Sequence, residues 1–86
     1  MLDERQQQAL GVVRKTLQEN ADAYADDAAL LRAEIDALDI DSLGKLEMVM
    51  ELEKEFGLML NETEIAACRS VSDLVSLVVR ASAQPG

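Results

Sequence analysis

The chain has 86 residues, 49% of them hydrophobic and 29% charged, which predicts one small globular domain with a single core. Seventeen acidic residues against eight basic ones give a formal net charge of −9. This charge argues against nucleic acid or an anionic membrane as a partner and favours a protein with a basic surface. The chain has no His to act as a general base, so we do not expect it to be an enzyme.

The single cysteine, Cys68, cannot form an internal disulfide, and the longest apolar runs are far below the ~20 residues that span a bilayer. The stretch after Met1 is polar and charged, so no apolar signal segment is expected. We expect a cytoplasmic monomer without a metal site, in which Cys68 is a small buried core residue.

Residues 3–17 are predicted to form the first helix. Apolar side chains recur at helical spacing from Leu10 to Leu17, and Asp3 with Gln6 resembles a capping box. Residues 18–40 are predicted to be a long connection that lies on the core and contains a helical turn or two around residues 27–34. A connection of this length is usually functional or held down by its own apolar residues.

The second predicted helix, from about Ser42 to Phe56, is the clearest element in the sequence. Gly57 follows it as a left-handed C-terminal cap, with Leu58 closing the end by an apolar contact. At 100° per residue, one face of this helix is a coherent core stripe. The stripe consists of Met48, Val49, Leu52 and Phe56.

A second apolar patch lies on a different side of the same helix, formed by Leu43, Leu46 and Met50. The long connection could fold over this patch and make it core. Alternatively, the patch is an exposed apolar strip rimmed by carboxylates, which is typical of a docking surface. We predict the exposed strip, with docking on partner proteins through Leu46, Glu47, Met50, Glu51 and Glu53.

Two further helices are predicted after the second one. Asn61 with Glu64 suits the start of a short helix near residues 62–67, and Ser70 with Asp73 forms a capping box for a last helix. The last helix carries an apolar stripe made of Val71, Leu74, Val75 and Val78. We expect one domain over residues 1–82 and a flexible C-terminal tail at 83–86.

The acidic residues are concentrated in the middle of the chain. Residues 19–64 carry a net charge of −11, whereas residues 1–18 and 65–86 each carry +1. Acidity that served solubility alone would not require this segregation. The pattern favours an acidic docking face on the second helix and the connection that leads into it.

The second helix begins at the triplet Asp41-Ser42-Leu43. Either Asp41 or Ser42 can serve as the N-cap of this helix, and capping alone would explain why either residue occurs here. A Ser at a helix N-terminus is also well placed to carry a phosphodiester, because free backbone N–H groups and the helix dipole favour an anion there.

This triplet, followed by Leu46-Glu47-Met48-Val49-Met50-Glu51-Leu52-Glu53-Lys54-Glu55-Phe56-Gly57 and a capped last helix, resembles the acyl carrier protein family. The resemblance implies an all-α carrier bundle of four helices, three main ones and a short third one. It implies that a separate phosphopantetheinyl transferase attaches 4′-phosphopantetheine from coenzyme A to Ser42, between Asp41 and Leu43. Asp41 would assist that transferase, usually through Mg²⁺, and the arm would hold an acyl group as a thioester.

Three functions remain open at this point. The first is an acyl carrier in a lipid, polyketide or specialised acyl pathway, which docks on enzymes with basic patches. The second is an aminoacyl carrier loaded by a separate adenylating enzyme, which the unusual Lys45 and Lys54 on the acidic helix would fit. The third, from another class, is a non-covalent acidic helical adaptor with an unmodified Ser42.

Overall fold

The computed structural model describes residues 3–17, 24, 26–38, 40 and 42–83, with the backbone alone for Ser42 and Ala83. The described residues form helices and no strand, which confirms the all-α prediction. The helices, in chain order, are α1 (Glu4–Leu17), α2 (Asp27–Arg32), a 3₁₀ turn (Ile35–Ala37), α3 (Ser42–Phe56), α4 (Glu62–Ala67) and α5 (Val71–Ala83). The second predicted helix is therefore α3, and α4 is the predicted short one.

Side chains at the helix starts satisfy backbone donors as the sequence predicts. At α1, the Gln6 N–H donates to Asp3 Oδ1 at 2.8 Å, and the Asp3 N–H donates to Gln6 Oε1 at 2.9 Å. At α5, the Asp73 N–H donates to Ser70 Oγ at 3.1 Å, and the Ser70 N–H donates to Asp73 Oδ2 at 3.2 Å. Hydrogen bonds from the backbone of Arg69 and Ser70 lower the pKa of Asp73, because they favour its carboxylate.

Gly57 ends α3 in the predicted left-handed conformation, with φ of 65°. The next residue, Leu58, donates its N–H to the carbonyl of Glu53 at 3.0 Å. This bond spans five residues and is the hydrogen bond of a Schellman motif, which satisfies a carbonyl that the end of the helix would leave without a partner.

The core lies where α1, α3 and α5 pack together, and α4 packs against α5. Met48, Val49 and Leu52 are buried, which confirms most of the predicted core stripe on α3. Phe56 is half-buried instead of enclosed, because it is the last residue of α3 and packs on the core from its edge.

The connection after α1 also contributes to the core. Helix α2 confirms the helical turns predicted around residues 27–34, and the 3₁₀ turn follows just beyond that range. Leu30, Ile35 and Leu38 are buried. A short antiparallel bridge joins this connection to the loop before α5, with the Ile35 N–H bonded to the Arg69 carbonyl at 2.8 Å and the Val71 N–H to the Ala33 carbonyl at 2.9 Å. Nothing in the sequence pattern predicts this bridge.

Arg14 and Tyr24 hold another part of the connection, in contacts that the sequence did not predict. The guanidinium of Arg14 donates to the Tyr24 carbonyl and to the carboxylate of Asp27. The Tyr24 hydroxyl donates to the Ala37 carbonyl at 3.4 Å. These bonds join α1 to α2 and to the 3₁₀ turn.

Within the described ranges, no helix is both long enough and apolar enough to cross a membrane. The single domain over residues 1–82 remains a prediction. Residues 84–86 of the predicted tail lie outside the described residues.

Truncation of Leu52 tests the assignment of the core face of α3. Leu52 is fully buried, so Leu52→Ala should lower the free energy of unfolding by about 2–5 kcal/mol. Met50→Ala is the matched control on the same helix, because Met50 is 56% exposed and its truncation should change stability little. Urea denaturation followed by far-UV circular dichroism measures both, and equal losses would show that Met50 is buried too.

Candidate functional site

The predicted attachment residue, Ser42, is the first residue of α3. The chain approaches it through Leu38, which is buried, and Ile40, which packs partly on the core. The first turn of α3 contains no acidic residue. Asp41 and the side chain of Ser42 lie outside the described residues, and their predicted roles remain predictions.

The second apolar patch of α3 is exposed, as predicted. Leu43, Leu46 and Met50 are 63%, 54% and 56% exposed, so the alternative in which the connection buries them is wrong. Exposed large apolar side chains that are grouped on one face of a helix are typical of a binding surface.

Two of the predicted docking carboxylates, Glu47 and Glu51, are exposed beside this patch. Together with Met50 they form the α3 wall of a recess of about 370 Å³, whose opposite wall is Lys15 and Thr16 of α1. The recess therefore places the apolar side chain of Met50 beside two carboxylates one helical turn apart.

Glu53 differs from the other predicted docking carboxylates. It is half-buried, and its Oε2 accepts a hydrogen bond from the Leu60 N–H at 2.9 Å. This bond ties the loop between α3 and α4 to α3, so Glu53 has a structural task that helical-wheel reasoning missed. The helical wheel could not show it, because the donor comes from a loop whose path only the fold determines.

A second recess, of about 300 Å³, lies between α3 and α4. Lys45, Leu46 and Val49 line it from α3, and Glu62, Ile65 and Ala66 line it from α4. Lys45 is half-buried and also borders a neighbouring recess with Glu34, Asp36 and Cys68. In the sequence Lys45 is only an unexpected base on an acidic helix.

Cys68 is half-buried and packs against the core, so the expectation of a buried cysteine is correct only in part. Its Sγ donates to the Glu64 carbonyl at 3.3 Å. Burial raises the pKa of the Cys68 thiol, Asp73 adds to that rise and Lys45 opposes it. The thiol is therefore protonated at neutral pH and is a poor nucleophile.

Residues 9–78 match the family model described as "Phosphopantetheine attachment site". The chain belongs to this family. An acyl carrier protein of Rhodococcus erythropolis (strain PR4 / NBRC 100887) is 32% identical over 50 residues, which are 58% of this chain and 55% of that protein. The chain thus spans about half the length of this curated relative.

The match confirms the resemblance seen in the sequence: this is a carrier protein of the acyl carrier protein family, and its cofactor is 4′-phosphopantetheine. The residues around the start of α3 fit such a group. A phosphodiester anion suits the helix N-terminus, whose first turn carries no acidic side chain. The apolar side chains of the recess between α3 and α4 could contact the rest of the arm.

Removal of the Glu53 carboxylate tests whether this side chain stabilises the fold. Glu53→Ala leaves the part-buried N–H of Leu60 without its acceptor, so the free energy of unfolding should fall by about 1–3 kcal/mol. The matched control is Glu51→Ala, which removes an exposed carboxylate two residues away and should change stability by less than about 0.5 kcal/mol. Urea denaturation measures the free energy of unfolding of both variants. Equal values would argue against a structural role for Glu53.

Proposed function

We propose that this chain is an acyl carrier protein whose 4′-phosphopantetheine is attached to Ser42. The family match over residues 9–78 carries the proposal, because this range contains Asp41-Ser42-Leu43 at the start of α3. When bound, the arm supplies a thiol that holds the acyl group as a thioester. The carrier itself binds, orients and presents the arm, and a separate transferase makes the linkage.

The positions of the other serines support Ser42 as the attachment residue. Ser70 caps α5 and its Oγ already accepts the Asp73 N–H. The remaining three, Ser72, Ser76 and Ser82, lie within α5. Ser42 is therefore the one serine of the sequence that opens the acidic helix. Asp41, the residue before it, is proposed to assist the transferase through Mg²⁺.

Carrier proteins of this family work with a phosphopantetheinyl transferase and with acyl-handling enzymes. We propose that these partners dock on the exposed patch of α3 with basic surfaces that meet Glu47 and Glu51. The exposure of Met50 between the two carboxylates supports this, because a flexible thioether can repack against several partners. We also propose that the protein acts in the cytoplasm as a monomer.

The cargo is proposed to be an acyl group, in keeping with the similarity to an acyl carrier protein. An aminoacyl cargo is the second candidate, favoured by Lys45 and Lys54 on α3, which would suit a dedicated loading enzyme. Intact-mass analysis of the loaded protein isolated from its own host separates the two, because the mass added beyond the arm identifies the cargo.

Modification of Ser42 is the first test of the proposal. Co-expression with a phosphopantetheinyl transferase of broad specificity should add one phosphopantetheine mass to the wild-type chain and none to Ser42→Ala. The variant should fold, because loss of one hydroxyl at a helix start costs about 1 kcal/mol. Ser72→Ala, which alters an exposed serine of α5, is the control and should be modified like the wild type. An unmodified wild-type chain would favour the adaptor, and a labelled Ser42→Ala chain would place the arm elsewhere.

Charge reversal on α3 tests the docking surface. Glu47→Lys should slow the transferase reaction severalfold at low ionic strength, because rim charges steer association, and added salt should reduce the difference. Glu4→Lys makes the same change in net charge on an exposed residue of α1 and should leave the rate unchanged. Glu47→Lys should retain the wild-type melting temperature, whereas Glu4→Lys should lower it slightly because it places a cation in the first turn of α1. Equal rates for both variants would contradict docking on α3.

A further inference from the structure

Lys45 occupies a position on α3 that brings it close to the start of the helix. It follows Ser42 by three residues, and helix positions three apart are neighbours on one face. Side chains of an α-helix lean toward its N-terminus, which for Lys45 is the direction of the turn that Ser42 begins. Lys54, the other base of α3, lies in the last turn of the helix.

Lys45 also lies at the junction of α3 with α4. It lines the recess that contains Leu46, Val49 and Ile65, and it also lines the neighbouring recess that contains Cys68. Within the described residues, the observed ion pair joins Arg14 to Asp27, and Lys45 takes part in none. Among the described residues, no ion pair therefore holds the Lys45 ammonium.

We propose that Lys45 is a positioning residue that binds the phosphodiester of the arm and sets it on the α3–α4 side of the helix. The ammonium attracts the phosphate oxygens, and the N–H groups of the first turn bind them from the helix end. The arm then begins beside Leu46 and Ile65, away from the docking carboxylates Glu47 and Glu51. This inference rests on attachment at Ser42.

The carboxylates near Lys45 suggest a competing role, in which its ammonium only offsets their negative charge. Glu34 and Asp36 share one recess with it, together with Arg69, and Glu62 shares the other. If Lys45 only offsets these acidic side chains, its removal will change the NMR spectra of the apo and the modified protein equally. If it binds the phosphodiester, its removal will change the spectrum of the modified protein only.

The test compares Lys45→Met with Lys54→Met, which removes the same charge from the far end of α3. Each protein is prepared as apo and phosphopantetheine-modified forms, and modification is verified by mass. Two-dimensional ¹H–¹⁵N NMR then gives the shifts that modification causes at the amides of Ile65 and Ala66, at low and at high salt, and ³¹P NMR gives the phosphodiester signal. No enzyme activity enters the comparison.

In the wild type and in Lys54→Met, modification should shift the Ile65 and Ala66 amides, and salt should weaken the shift because it screens the ion pair. In Lys45→Met that shift should be lost and the ³¹P signal should move, whereas Lys45→Arg should restore both. Identical responses in Lys45→Met and wild type, or equal disturbance of the apo and modified forms, would overturn the role of Lys45. Absence of any modification would instead overturn attachment itself.

Discussion

The bridge between the long connection and the loop before α5 is the constraint on which the rest of the structure depends. Two backbone hydrogen bonds, Ile35 to Arg69 and Val71 to Ala33, fix the connection where it passes the start of α5. Leu30, Ile35 and Leu38 then bury their side chains in the core around this point. Leu38 lies four residues before Ser42, so this buried part of the connection ends close to the start of α3.

Helix α3 carries two apolar faces, one buried in the core and one exposed to solvent. Met48 and Leu52 are fully buried and hold the helix on α1 and α5. Leu43, Leu46 and Met50 stay in solvent and contribute nothing comparable to stability. Exposed apolar surface of this kind favours association, and the neighbouring carboxylates limit which partners can approach.

The charged residues of α3 do different things, although they look alike in sequence. Glu53 accepts a backbone N–H from the following loop, and Glu55 accepts the side-chain amide of Gln8. Glu47 and Glu51 remain exposed beside Met50. Lys45 lies half-buried at α4, so the charged side chains of one helix have three different surroundings.

The sequence by itself determined the helices, their caps, the core face of α3 and the family, because these depend on local spacing: Asp3 with Gln6, Ser70 with Asp73, and Gly57 after Phe56 each act within a few residues. Only the tertiary structure decided the bridge of the connection, the bonds of Arg14 and Tyr24, the loop contact of Glu53 and the place of Lys45 between two helices. These contacts join residues that come together only when the helices pack. The spacing of residues along the chain does not indicate which loop carbonyl or N–H will lie within hydrogen-bond distance of a given side chain.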